Sequence, residues 1–221
     1  MCSRAEFVLW ADLRMLREGF ERSLLFTAQM EEKSKTLLGV WLLTPLSVYF
    51  KHEYFLNKEY IYCYMKKVIL LDNIRSVLNV GSIFRTANGL GVHKIILCGI
   101  TPTPLDKKGE KRKDFAKVAL GSEEGIVWEY RPESLDVVRE YKTKSFRIIS
   151  LEQDERSVDY KQVGTVVDTL FIIGSEVDGV QKEILALSDT IVEVPMLGLK
   201  ESLNVTIAFG IVGYKLFDIT G

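Results

Sequence analysis

The stretch KVILLDNIRSVLNVGSIFRTANGLGVHKIILCG, residues 67–99, decides the fold. It opens with KVILLD (67–72), a short apolar run without polar alternation, as expected of a strand covered on both faces. NVGSIFRTANGLG (79–91) then takes up helical spacing, and KIILCG (94–99) returns to a buried, strand-like run. Strand, helix and strand in succession make a crossover unit, and crossover units build parallel sheets.

Working outward, the alternation runs to the C-terminus. The pattern predicts a helix over roughly 113–120, an extended WEY (128–130), a helix over 132–142 and a strand FRIISLE (146–152). DTLFIIG (168–174) reads as another buried strand, QKEILALSD (181–189) as a short helix, TIVEVP (190–195) as a strand and 203–219 as a long terminal helix. Residues 65–221 are therefore expected to form an α/β domain with a mostly parallel sheet flanked by helices. Residues 1–64 show only weak periodicity (Leu9, Leu13, Leu16 and Phe20 make one stripe) and no readable chemistry. They are expected to be an appendage outside the domain, and MKKVILLDN reads as a natural beginning at Met65.

Composition narrows the classes of function. Of 221 residues 47% are hydrophobic, and the net charge is −1. A sizeable core is assured, and bulk electrostatic coating of nucleic acid is excluded, though a local basic patch is not. Cys2, Cys63 and Cys98 have no metal or redox spacing, and an odd number of them suggests a reducing, cytoplasmic compartment. His52 and His93 stand apart, so neither a metal site nor a Ser-His-Asp triad is expected. The longest apolar run, 37–50, is broken by Thr44, Pro45 and Ser47 and is too short to span a bilayer, so no membrane is expected.

Four constellations carry chemical potential. In N79-V-G-S-I-F-R85, Asn79 is a candidate helix cap, and Arg85, flanked by Ile83, Phe84 and Ala87, is expected to be partly buried. It reads either as a pairing arginine or as a grip on phosphate or carboxylate. G174-S-E-V-D-G179 has the glycine spacing of a phosphate loop but ends on Val180 and Gln181, where lysine and a hydroxyl residue are required. Nucleotide hydrolysis is disfavoured accordingly. What remains is a tight turn at the carboxyl end of a strand, where open sheets place ligands, with Glu176 available to a cation, a hydroxyl or an arginine. V194-P-M-L-G-L-K-E-S-L-N-V-T206 is an irregular loop whose backbone groups need partners; a nucleoside would supply them, and Ser202 or Asn204 also suits a simple helix cap. Loop 101–117 interleaves Lys107, Lys108, Lys111, Arg112, Lys113 and Lys117 with Asp106, Glu110 and Asp114, reading as a solvated loop or as a phosphate-tracking patch.

Taken in order, N79-x-G81-x-x-x-R85, G174-x-E176-x-x-G179 and V194-P-M-x-G-x-x-x-S-L-N-V205 resemble the SpoU (TrmH-type) family of RNA ribose 2′-O-methyltransferases, of the SPOUT class, over about 66–219. Three ordered motifs are far more specific than any one of them. The resemblance implies a C-terminal deep trefoil knot, S-adenosylmethionine as cofactor, a homodimer, and tRNA or rRNA as substrate. It implies cofactor contacts at Gly174, Val194 and Leu203, with Met196 nearby, and active-site roles for Asn79, Arg85, Glu176, Ser202 and Asn204. Asn79 and Glu176 would orient Arg85 or the substrate, and Arg85 would stabilise the alkoxide that develops on the ribose. Lys107, Lys108, Lys111, Arg112 and Lys113, together with Arg85, would meet RNA. A catalytically silent RNA-binding relative is the alternative, and transfer of labelled methyl to RNA separates the two.

Overall fold

The computed structural model describes residues 65–165 and 167–217; the expectations for residues 1–64 lie outside them. Seven strands alternate with helices. They are β1 (Lys67–Asp72), α1 (Val77–Gly89), β2 (Lys94–Cys98), α2 (Lys113–Ala119), α3 (Ser122–Gly125), β3 (Val127–Arg131) and α4 (Ser134–Thr143). There follow β4 (Arg147–Leu151), β5 (Val158–Asp159), a 3-10 turn at Tyr160–Gln162, β6 (Thr169–Ile173), α5 (Lys182–Leu187), β7 (Thr190–Glu193) and α6 (Val205–Leu216). They form one sheet in the order β3-β2-β1-β6-β4-β7-β5, and every strand pair is parallel.

The apolar runs read as doubly covered strands are just that. All six residues of β1 and all five of β6 are buried. Successive side chains on a strand point to opposite faces. Ile69, Leu71, Phe171 and Ile173 accordingly join a core layer with Val80, Phe84, Phe209 and Leu216 of α1 and α6. Val68, Leu70, Leu170 and Ile172 join the other, with Val137, Tyr141 and Ile184 of α4 and α5.

Helix α1 packs closely on both sides because glycines stand at its crossings. A side chain on Gly81 would meet Val118 of α2 at 3.1 Å, and one on Gly213 of α6 would meet Leu90 at 2.8 Å. The cap of α1 differs from the expected one: the helix begins at Val77, and Ser76 is its N-cap, its hydroxyl accepting from the Asn79 N–H at 3.3 Å. Asn79 thus sits in the first turn with its side chain free for another task. Helix α3 and strand β5 are too short to show a period and were not readable from the pattern.

In a parallel sheet the carboxyl ends of all strands share one edge. The loops after β1, β4, β6 and β7 open there together, the place where open α/β sheets hold ligands.

Candidate active site

The loop after β6 is a small closed ring. Ser175 and Gly179 exchange backbone hydrogen bonds at 3.1 and 3.0 Å, forming its neck. Gly179 has φ +68°, a conformation glycine reaches without strain. The Val180 N–H is held from the β4 side by the Glu152 carboxylate at 2.8 Å. The ring projects Glu176 over the N-terminus of α1. There its carboxylate accepts from the backbone N–H groups of Arg75 (3.0 Å) and Ser76 (3.4 Å) and from the Asn79 side-chain amide (2.8 Å). Free N–H groups and the positive helix end favour an anion at this position.

Asn79 in turn accepts at its Oδ1 from the Asn204 amide at 3.4 Å. Asn204 is the N-cap of α6, its own oxygen accepting from the Thr206 N–H (2.9 Å) and hydroxyl (2.6 Å). One hydrogen-bonded relay, Glu176–Asn79–Asn204, therefore joins the three segments that carried the three motifs. It also settles the two cap assignments. Asn204 is a cap and a relay member at once, whereas Ser202 does not cap α6.

Burial pushes the Glu176 carboxyl up, but the bonds from Arg75, Asn79 and Ser76 outweigh it and hold the group below the ordinary 4.5. A depressed carboxylate stabilises the fold fully above its unfolded value and loses that contribution as pH falls through the folded one. Glu176→Gln is therefore expected to flatten the acid limb of the stability profile below about pH 5, measured as urea midpoint against pH. An unchanged limb would mean that the relay is absent in solution.

Beneath the relay lies a cavity of about 500 Å³, a size suited to a cofactor. Gly174, Glu176, Val194, Ser202, Leu203 and Asn204 line it, as do Glu152, Gln153 and Glu193. Of the residues singled out in the sequence, Met196 is not among its lining, and Asn79 reaches it only through Glu176 and Asn204. Glu152 and Gln153 belong to SLEQ (150–153), which, like KVALGSEEGIVWEY (117–130), resembles a family segment between the motifs but carried no chemical signature of its own. The Gln153 amide donates to the Glu201 carbonyl at 2.7 Å, tying the β4 loop to the loop before α6. Among the described residues no group of three or more His, Cys, Asp or Glu could hold a metal ion.

Arg85 is not where it was expected. It is exposed rather than partly buried. It follows Asn79 by six residues, about 240° around a helix with 3.6 residues per turn. Neither Asn79 nor Glu176 bonds it; they bond each other and the start of α1. Arg85 instead shares a stripe of α1 with exposed Leu78, seven residues earlier.

The basic loop is also less free than its composition implies. Lys111 pairs with Glu124, and Arg112 is gripped by both oxygens of Asp114 at 3.1 and 2.7 Å. The Asp106 carboxylate accepts from the N–H groups of Lys108 and Glu110, making a built turn. Lys107, Lys108 and Lys113 remain exposed.

Residues 66–214 match the model of the SpoU rRNA Methylase family. The tRNA (guanosine(18)-2′-O)-methyltransferase of Aquifex aeolicus (strain VF5) is 27% identical over 148 residues, 67% of this chain and 67% of that protein. Its namesake from Escherichia coli (strain K12) is 26% identical over 66% of this chain and 61% of its own length. Part of that relative's length thus has no counterpart in the matched segment. Among solved structures, the A. aeolicus TrmH/SpoU tRNA modifying enzyme superposes with a TM-score of 0.58 at 24% identity, covering 74% of this chain and 81% of that one. The SpoU methyltransferase AviRb from Streptomyces viridochromogenes, in complex with AdoMet, gives 0.61 at 23% identity over 69% and 59%.

Proposed function

The chain belongs to the SpoU rRNA Methylase family, and from that premise we propose that it is an RNA methyltransferase. It would use S-adenosylmethionine to methylate a ribose 2′-hydroxyl of tRNA or rRNA, in the cytoplasm. The observation that carries this reading is the Glu176–Asn79–Asn204 relay at the mouth of the 500 Å³ cavity. The cavity suits the cofactor. Gly174 lets the ring fold tightly against the end of β6, since a Cβ there would meet the backbone of Gly179 and Val180, and Glu152 and Glu193 in the lining provide negative charge for a cationic ligand. Gly174, Val194 and Leu203 would hold it, largely through the backbone.

When bound, S-adenosylmethionine supplies an electrophilic methyl group. The rest falls to the chain. A ribose hydroxyl becomes a good nucleophile only as its proton leaves, so the site must place that oxygen in line and stabilise its growing charge. Arg85 provides the positive charge; as a guanidinium it stays protonated and acts electrostatically rather than as a base. The relay keeps Glu176 and Asn79 aimed at the cavity mouth, where ribose hydroxyls are bound. Ser202 and Asn204 order the loop over the cofactor, and the exposed Lys107, Lys108 and Lys113 would follow RNA phosphates. The C-terminal segments would be threaded as the family's trefoil knot.

A homodimer accounts for Arg85. Helix α6 buries Phe209, Val212 and Leu216, yet its other side carries Ile207 at 53% and Tyr214 at 56% exposure, with Ile211 between them. A helix apolar on both sides needs a cover on both. Leu78, 61% exposed, extends the stripe onto α1, where Arg85 stands. A second copy seated here would bring its own relay towards Arg85. Ile211→Glu is expected to give a monomer in sedimentation that transfers no methyl; a dimer of unchanged affinity would place the interface elsewhere.

Tritiated S-adenosylmethionine and total RNA test the reading directly. Label in alkali-resistant dinucleotides is expected, because a 2′-O-methyl blocks cleavage. Binding of RNA without transfer would favour the silent relative.

A further inference from the structure

Asp72 is a carboxylate that the mechanism above does not use. It ends β1, is 1% exposed, and no ion pair to it occurs among the described residues. A buried charge of this kind is costly unless it is fully hydrogen-bonded and its removal from water serves something. Its bonds are with neutral donors: the Asn73 amide at 2.9 Å and the Gln181 amide at 3.0 and 3.3 Å. Ser134 also accepts from the Gln181 amide at 3.0 Å, so Gln181 is clasped between two acceptors.

The placement of this clasp matters. β1 and β6 pair in register, Leu71 beside Ile173, so Asp72 lies next to Gly174, where the ring begins. Gln181 lies where the ring ends. Asp72 therefore closes the ring from the β1 side, as Glu152 does from the β4 side through Val180. We propose that Asp72 is a positioning residue for methyl transfer: by clasping Gln181 it fixes the exit of the Gly174–Gln181 ring and so the aim of Glu176. The proposal rests on the functional reading above. Burial pushes the Asp72 carboxyl up, against the pull of Ser134, Gln181 and Asn73.

Exchanging the two groups tests it, because an amide and a carboxylate can trade places. Gln181→Glu alone sets two carboxylates face to face, whereas Asp72→Asn alone keeps an oxygen that can accept from the Gln181 amide and is the milder change. The double variant restores one donor to one acceptor. Gln181→Glu is expected to lower amide-exchange protection at Gly179 and Val180 at least tenfold in the cofactor-free protein, and Asp72→Asn by less. Gln181→Glu is also expected to lower kcat about tenfold, with the KM for RNA little changed. The double variant is expected to recover both to within about threefold. Gln181→Ala, at an exposed residue whose loss leaves the core intact, is expected to loosen the ring in the same way.

Wild-type protection and kcat in Gln181→Ala would overturn the proposal, as would a double variant no better than the product of the singles. If wild type transfers no methyl but the ring loosens and recovers as described, the positioning stands and the methyltransferase reading fails.

Discussion

Arg85→Ala is expected to lower the rate of methyl transfer about a thousandfold, the upper part of the range for removing one group that stabilises developing negative charge. S-adenosylmethionine affinity, measured by calorimetry, is expected to stay within about twofold, because Arg85 is not part of the cavity lining. Loss of both together would mean that Arg85 supports the fold or the cofactor site instead. The structure adds a sharper test. Arg85 lies about 240° around α1 from Asn79, on the stripe that a second copy would cover, so it is expected to serve the partner's relay. Mixing Arg85→Ala subunits with Glu176→Gln subunits then yields a heterodimer with one intact site, since one chain keeps its Glu176 and the other its Arg85. Activity is expected to reappear on mixing two inactive proteins. If Arg85 served its own chain's relay, every site in the mixture would lack one group and nothing would reappear.

The exposure of Arg85 was beyond the reach of the sequence for a physical reason. Periodicity reports which face of a helix is buried, and it reports this well where burial is complete. KVILLD begins and ends β1 at the very residues read from the pattern, because a strand covered on both sides has no polar residue to blur its limits. The start of α1 was misplaced because Ser76 and Asn79 are both good caps. What separates them is a bond from Asn79 to Glu176, ninety-seven positions away. Lys111, ahead of α2, pairs with Glu124 in α3, so a run of cations looked freer than it is. Arg85 was expected to be partly buried from its apolar neighbours Ile83, Phe84 and Ala87, yet those three residues are buried while it is not. Neighbours in sequence on a helix point about 100° apart, so apolar flanks say little about the residue between them. The three motifs marked the segments that meet at the site; the pairing within it, and the role of Glu152 and Asp72 behind it, belong to tertiary geometry.

Gly174→Ala is expected to be the most damaging single methyl group that can be added to the site. A Cβ on Gly174 would lie 2.3 Å from the Gly179 carbonyl carbon, 2.4 Å from its oxygen and 2.4 Å from the Val180 nitrogen. All three are backbone atoms, so no side chain can swing aside to make room. The backbone itself is held by the Ser175–Gly179 pair and by Glu152 on Val180. Relief therefore requires opening the neck, which releases Glu176 from the start of α1 and removes the floor of the cavity. Overpacking of this kind costs about 3 kcal/mol, or on the order of 10 °C in Tm for a domain of this size. S-adenosylmethionine affinity, measured by calorimetry, is also expected to fall, because the opened ring no longer forms the floor of the cavity. Gly198 is the control. It belongs to the third motif, yet a Cβ there meets nothing within 4 Å. Gly198→Ala is expected to leave Tm within about 1 °C. Wild-type melting and cofactor affinity in Gly174→Ala would mean that the ring after β6 is open in solution, and that Glu176 is not aimed by it.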